Sequence, residues 1–157
     1  MDGNVVFAFA IGIGFVAGLR SLLAPAVIAW AAYAGWLDLH TTLLGFIGSW
    51  GAAMVLSILA IGELIADKTP GIPRRTAAFP LLARIVTGAL CGACLSVSAK
   101  QSLSIGATLG GIGAVIGAFA GYEARKRLVR RLNVADIFVA LPEDLIAIGL
   151  AVFFVSR

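Results

Sequence analysis

The chain is short of charge. Only 13% of its 157 residues are Asp, Glu, Lys or Arg, about half the charged fraction a soluble domain uses to coat its surface. That argues against an ordinary soluble fold and against most cytosolic enzymes. Histidine occurs once, as His40 in a short loop, which excludes a histidine-built metal or haem site. No metal and no cofactor are therefore expected. There are two cysteines, both in the middle of an apolar segment, so an extracellular disulfide framework is excluded. Charge is scarcest at the start, where Asp2 alone precedes Arg20. Residues 4–19 are apolar and Ala24-Pro25-Ala26 imitates a cleavage site, but the basic n-region of a secretion signal is missing, and we expect no cleaved leader. No lipidation motif is found either.

What the chain does have is apolar length. Hydrophobic residues make up 61% of it, and its mean hydropathy is +1.02. Charges and turn residues bound segments at about 43–62, 77–99, 102–122 and 137–155, each close to the roughly 20 residues that cross a bilayer. The first stretch, 4–36, would make a helix of roughly 50 Å against a hydrocarbon core of about 30 Å, so it cannot be one straight span. A break is expected near 18–25, where Gly18, Arg20, Ser21 and Pro25 fall together. The expected fold is an all-α polytopic transmembrane bundle, residues 1–157 forming one domain. It would have five to six spans, with a broken or hairpin first helix.

Loop charges suggest an orientation. Connection 65–78 carries Lys68, Arg74 and Arg75, and connection 123–136 carries Arg125, Lys126, Arg127, Arg130 and Arg131. The positive-inside rule puts both in the cytoplasm and the C-terminus outside, in the cell inner membrane. A long first span would leave the N-terminus inside. A hairpin, the preferred reading, leaves it outside and brings Arg20 to the cytoplasmic end. The basic run 125–131 reads as a helix continuing past the membrane, a topology anchor and a contact for anionic lipid head groups; nucleic-acid binding is not needed to explain it. Two rival internal-repeat alignments exist. One pairs segments that end in Phe79-Pro80 and Leu141-Pro142, each pair opening a span; the other pairs Gly12-Ile13-Gly14 with Gly111-Ile112-Gly113.

Glycines four apart, Gly106 with Gly110 and then Gly113, Gly117 and Gly121, place two small-residue ridges on one helix. They serve either packing within one subunit or the seam of a homo-oligomer such as a dimer. Gly12-Ile13-Gly14-Phe15-Val16-Ala17 mimics a dinucleotide fingerprint, but it lacks the preceding strand and the later acidic residue. Cys91 and Cys94 have the spacing of a thiol-exchange motif, with packing on an apolar helix as the plainer reading.

The charges in or beside the apolar segments carry more meaning. Arg20, Glu63, Asp67, Lys68, Arg84, Glu143 and Asp144 all fall toward one end of their segments. Withdrawing them from water is costly, so pairing is the default, for instance Arg84 or Arg20 with Glu143 or Asp144. Such pairs either lock helix register or line a polar cavity that binds an ion, relays protons or holds a head group.

Gly18-Leu19-Arg20, the run Gly62-Glu63-Leu64-Ile65-Ala66-Asp67-Lys68-Thr69-Pro70, and Pro142-Glu143-Asp144-Leu145 together resemble the bacterial membrane family called domain of unknown function 4126, over nearly the whole chain. Arg84 and the basic stretch after Gly121 go beyond that pattern. The resemblance implies a small multi-pass inner-membrane protein and marks Arg20, Glu63, Asp67, Lys68, Pro70, Glu143 and Asp144; it implies no activity, substrate or cofactor.

The expected function is transport. A small, oligomeric channel or carrier would use the Arg/Glu/Asp cluster for an ion, an anionic solute or a lipid head group. The alternative is a non-transporting accessory or scaffold subunit of a larger membrane complex. A lipid-modifying enzyme lacks an evident nucleophile and base.

Overall fold

The computed structural model describes residues 3–39, 42–66, 78–132 and 136–156. Among them the secondary structure is entirely helical: α1 (Gly3–Leu19), α2 (Leu23–Tyr33), a 3-10 turn (Gly45–Gly48), α3 (Trp50–Ala66), α4 (Ala78–Ser98), α5 (Leu103–Leu132) and α6 (Asp136–Val155). By length and composition, Ala78–Ser98 and Leu103–Arg131 can cross a bilayer; α1, α2 and α3 are apolar but shorter.

The first apolar stretch reverses direction. The last backbone bond of α1 runs from Arg20 N–H to Val16 at 2.8 Å, a two-residue turn follows, and Ala26 N–H to Leu22 opens α2 at 3.1 Å. Pro25 sits in the first turn of α2, where its missing N–H costs nothing. At its far end α2 stops through Gly35, whose φ of +78° is the left-handed conformation glycine adopts without strain. Trp36 N–H then reaches back to Ala31 at 2.8 Å. The returning chain lands beside the end of α4: Asp38 N–H donates to Ser98 Oγ at 3.1 Å. A cavity of about 190 Å³ there is walled by Val6, Phe9, Trp36, Leu37 and Phe154. α1 and α2 thus form a hairpin with Arg20-Ser21-Leu22 at its tip.

Glycines set the core. α5 is clamped between α1 and α4, and each side needs bare backbone. A Cβ on Gly110 would strike the Gly88 carbonyl, and one on Gly92 the Gly106 carbonyl. On the α1 side, a Cβ on Gly113 or Gly117 would strike the carbonyl of Ile11 or Phe15, and Gly14 meets Gly110. The two ridges therefore grip different helices within one chain, while Gly121 lines a cavity instead. Close approach of this kind recovers through packing what glycine loses in helix propensity. Cys91 and Cys94 are free thiols, fully covered in the same core with Ile13, Val16 and Ile28.

Two boundaries differ from the sequence expectation. The segment expected from residue 43 is helical only from Trp50, because Ser49 is extended and accepts the Ala52 N–H at 3.2 Å as an N-cap. α5 runs ten residues past 122 through the basic run, in keeping with the reading of that run as a continuing helix. Pro142 does not open the last helix but lies inside it. α3 leans mainly on α2 and buries only Ala53 and Ala60, leaving Ile58 and Ile65 about two-thirds exposed.

Candidate functional site: an ionic layer at the hairpin tip

Four helices bring charge to the hairpin tip. α1 delivers Arg20, which is 0% exposed, and α6 delivers Asp144, 6% exposed. Arg20 Nε donates to Asp144 Oδ1 at 2.7 Å, and Nη2 pairs with the same oxygen. α3 delivers Glu63, whose carboxylate caps the start of α2. Oε1 accepts the Ser21 N–H at 2.8 Å and the Ser21 hydroxyl at 2.6 Å, and Oε2 accepts the Leu22 N–H at 2.8 Å. The own side chain of the N-cap residue, Leu22, cannot do this. Glu63 therefore satisfies, from another helix, the two amides that lead into α2, and its charge sits near the positive end of the α2 dipole. α4 delivers Arg84, also 6% exposed, with Nη1 donating to the Pro80 carbonyl at 3.2 Å and Nη2 lying 3.9 Å from Glu63 Oε1.

Arg20, Arg84, Glu63 and Asp144 sum to zero charge. A second couple stands nearby, Arg125 Nη1 of α5 being 3.7 Å from Glu143 Oε2 of α6. Glu143 and Asp144 are adjacent, and successive helical residues point about 100° apart. One therefore faces α5 and the other faces the hairpin. The layer takes in Arg20, Glu63, Arg84 and Asp144; Glu143 belongs to the second couple. Asp67, Lys68 and Pro70 lie outside the described residues. Lys126 and Arg127 pair with Glu123 on the surface at 3.9 and 3.4 Å, and such exposed contacts contribute little to stability.

Two participants escaped the sequence reading. Ser21 and the Leu22 amide just ahead of α2 are half of the Glu63 contact, yet their partner lies 42 and 41 residues away. Arg125 looked like one more member of a basic run; its place next to the glycine ridge was the only hint that it pairs with α6. Among the described residues no group of three or more His, Cys, Asp or Glu could hold a metal ion.

A family model described as "Domain of unknown function (DUF4126)" matches residues 7–156. No curated protein and no solved structure matches the chain.

Proposed function

The chain belongs to the family called domain of unknown function (DUF4126), and from that footing we propose that it is a small polytopic membrane transport protein, a channel or carrier for an ion or an anionic solute. The observation that carries this reading is the buried ionic layer at the hairpin tip. Removing four charges from water costs several kcal/mol each, and replacing a buried pair by apolar residues is often neutral or stabilising. Their presence is poorly explained by stability alone, and ionisable groups inside a membrane bundle commonly mark an ion or substrate path.

The setting supports a bilayer. Large apolar side chains face outward on several helices, including Ile58, Ile65, Leu82, Ile112, Leu145 and Ile146, a surface that would be an aggregation liability in water. α2, at 11 residues, is about 16 Å long and stops short of a core of about 30 Å. The hairpin tip then lies within the membrane rather than at its face. In this reading the ionic end, with the connections 65–78 and 123–136, is cytoplasmic in the inner membrane, and both termini are outside. Substrate would enter by displacing one carboxylate of the layer, the discontinuous helix presenting its N-terminal amides as in many carriers.

A second reading is favoured by the completeness of the pairing. Each guanidinium of the layer has a carboxylate near it, and Arg20 is fully covered, as expected of a scaffold or accessory subunit whose charges only fix helix register. Reconstitution separates the two. Liposomes holding the purified chain should pass ions or organic anions faster than empty liposomes, and Asp144→Asn should abolish the difference. Flux equal to that of empty liposomes across a broad panel would leave the scaffold reading.

A further inference from the structure

We propose that α3 is the moving element of this bundle, a gate hinged at Ser49 and latched by Glu63, whose opening uncovers the hairpin tip. The gate rests on the transport reading for its purpose and on the packing of α3 for its mechanism.

The neighbouring helices are held too closely to move alone. Backbone meets backbone where α5 passes α4, at Gly88, Gly92, Gly106 and Gly110, and where it passes α1, at Gly14, Gly113 and Gly117. Sliding either contact would lose a fit that depends on bare glycine. α6 is tied to the hairpin through the Arg20–Asp144 bond of 2.7 Å. α2 buries eight of its 11 residues, whereas α3 buries two of 17.

The face that α3 turns inward is small and polar. Ala53, Ser57, Ala60 and Glu63 follow one another at spacings of four, three and three, which keeps them on one side of a helix; Leu56 beside them is half-buried against the core. In a bilayer the outward Val55, Ile58 and Ile61 rest as well on lipid tails as on protein, so apolar burial does little to seat the helix. Hydrogen bonds carry that task. Trp30 Nε1 donates to Ser57 Oγ at 2.9 Å near the middle. At the end, Glu63 takes the Ser21 N–H, the Ser21 hydroxyl and the Leu22 N–H at 2.6–2.8 Å and lies 3.9 Å from Arg84 Nη2. The second contact is charged and therefore the stronger. At the other end of α3, Ser49 is a single extended residue between the 3-10 turn and the helix. The turn itself is seated, a Cβ on Gly48 standing 3.2 Å from Ala32 Cβ, while Gly51 has open space. Rotation at Ser49 swings α3 and leaves the turn in place. Opening withdraws Glu63 from the Ser21 and Leu22 donors and from Arg84, and these then face the gap.

Thiol labelling of the full chain in detergent with a maleimide tests this. Ala60→Cys reports beside the latch and Ala53→Cys beside the hinge, while native Cys91 and Cys94, 0% exposed, report loosening of the whole bundle. Glu63→Gln should speed labelling at Ala60→Cys about tenfold and at Ala53→Cys less than about twofold, as expected when one charge-assisted contact is lost from a local opening. Ser21→Ala keeps every charge, removes one latch bond, and should speed Ala60→Cys about threefold; it decides the matter if Glu63→Gln fails to fold. Unchanged labelling of Ala60→Cys overturns the gate. So does equal acceleration at Ala53→Cys, which would mean that α3 leaves without a hinge, or labelling of Cys91 and Cys94 in step with it. Transport fails separately: the expected labelling without flux in liposomes leaves a moving helix and removes its purpose.

Discussion

Arg20 and Asp144 lie 124 positions apart in the chain, yet the Arg20 Nε donates to Asp144 Oδ1 at 2.7 Å with the guanidinium wholly covered. The bond ties the tip of the α1–α2 hairpin to the last helix. Removing one partner takes the counter-charge at 2.7 Å from a buried charge, whereas removing both takes charge and counter-charge together. Arg20→Leu or Asp144→Leu alone should cost about 3–5 kcal/mol, and the double substitution much less than their sum. Thermal unfolding of the four proteins in one detergent gives the coupling; additive losses would mean the pair is not a unit.

Glu63 should prove the larger half of the hairpin cap. Glu63→Ala removes the acceptor of three hydrogen bonds and should destabilise by about 1–2 kcal/mol, the upper range for a lost cap. Ser21→Ala removes one donor and should cost less. Hydrogen exchange offers a local readout, with faster exchange expected at the Ser21 and Leu22 amides in Glu63→Ala and little change in the middle of α5.

The glycines divide by what a methyl group would meet. Gly110→Ala drives a Cβ into the Gly88 carbonyl, and Gly14→Ala drives one into Gly110. Both should lower the melting temperature markedly, because backbone cannot step aside as a side chain can. Gly62 has open space around its Cβ direction, so Gly62→Ala should be neutral or stabilise by up to about 1 kcal/mol through helix propensity. Equal effects at the three positions would contradict the clamp of α5 between α1 and α4.

The hairpin makes a topological statement that labelling can check. Gly3 lies beside Gln101, a Cβ there standing 3.4 Å from Gln101 Oε1. Asn4→Cys and Gln101→Cys should therefore react with an impermeant maleimide from the same side of the membrane, and Arg130→Cys from the other. The native Cys91 and Cys94 are 0% exposed and should stay silent until the protein is denatured. Labelling of Asn4→Cys together with Arg130→Cys would exclude the hairpin.

Composition and apolar length are read directly from residue types counted along the chain, and they point to helices long enough to span a bilayer. The break near Arg20 was legible for the same kind of reason: a 33-residue apolar run exceeds any single crossing, and Gly18, Arg20 and Pro25 cluster where it must bend. The glycine ridges could be found by spacing, though spacing is silent on whether they meet a second subunit or their own chain. Partner choice lay beyond reach. Neighbours in sequence such as Glu143 and Asp144 are sent to different helices by a 100° turn of the backbone, and Glu63 finds its partners 42 residues upstream. Only the tertiary packing of α3, α4 and α6 around the α1–α2 hairpin decides which charges meet at its tip, because that packing sets where each helix passes the short hairpin's end.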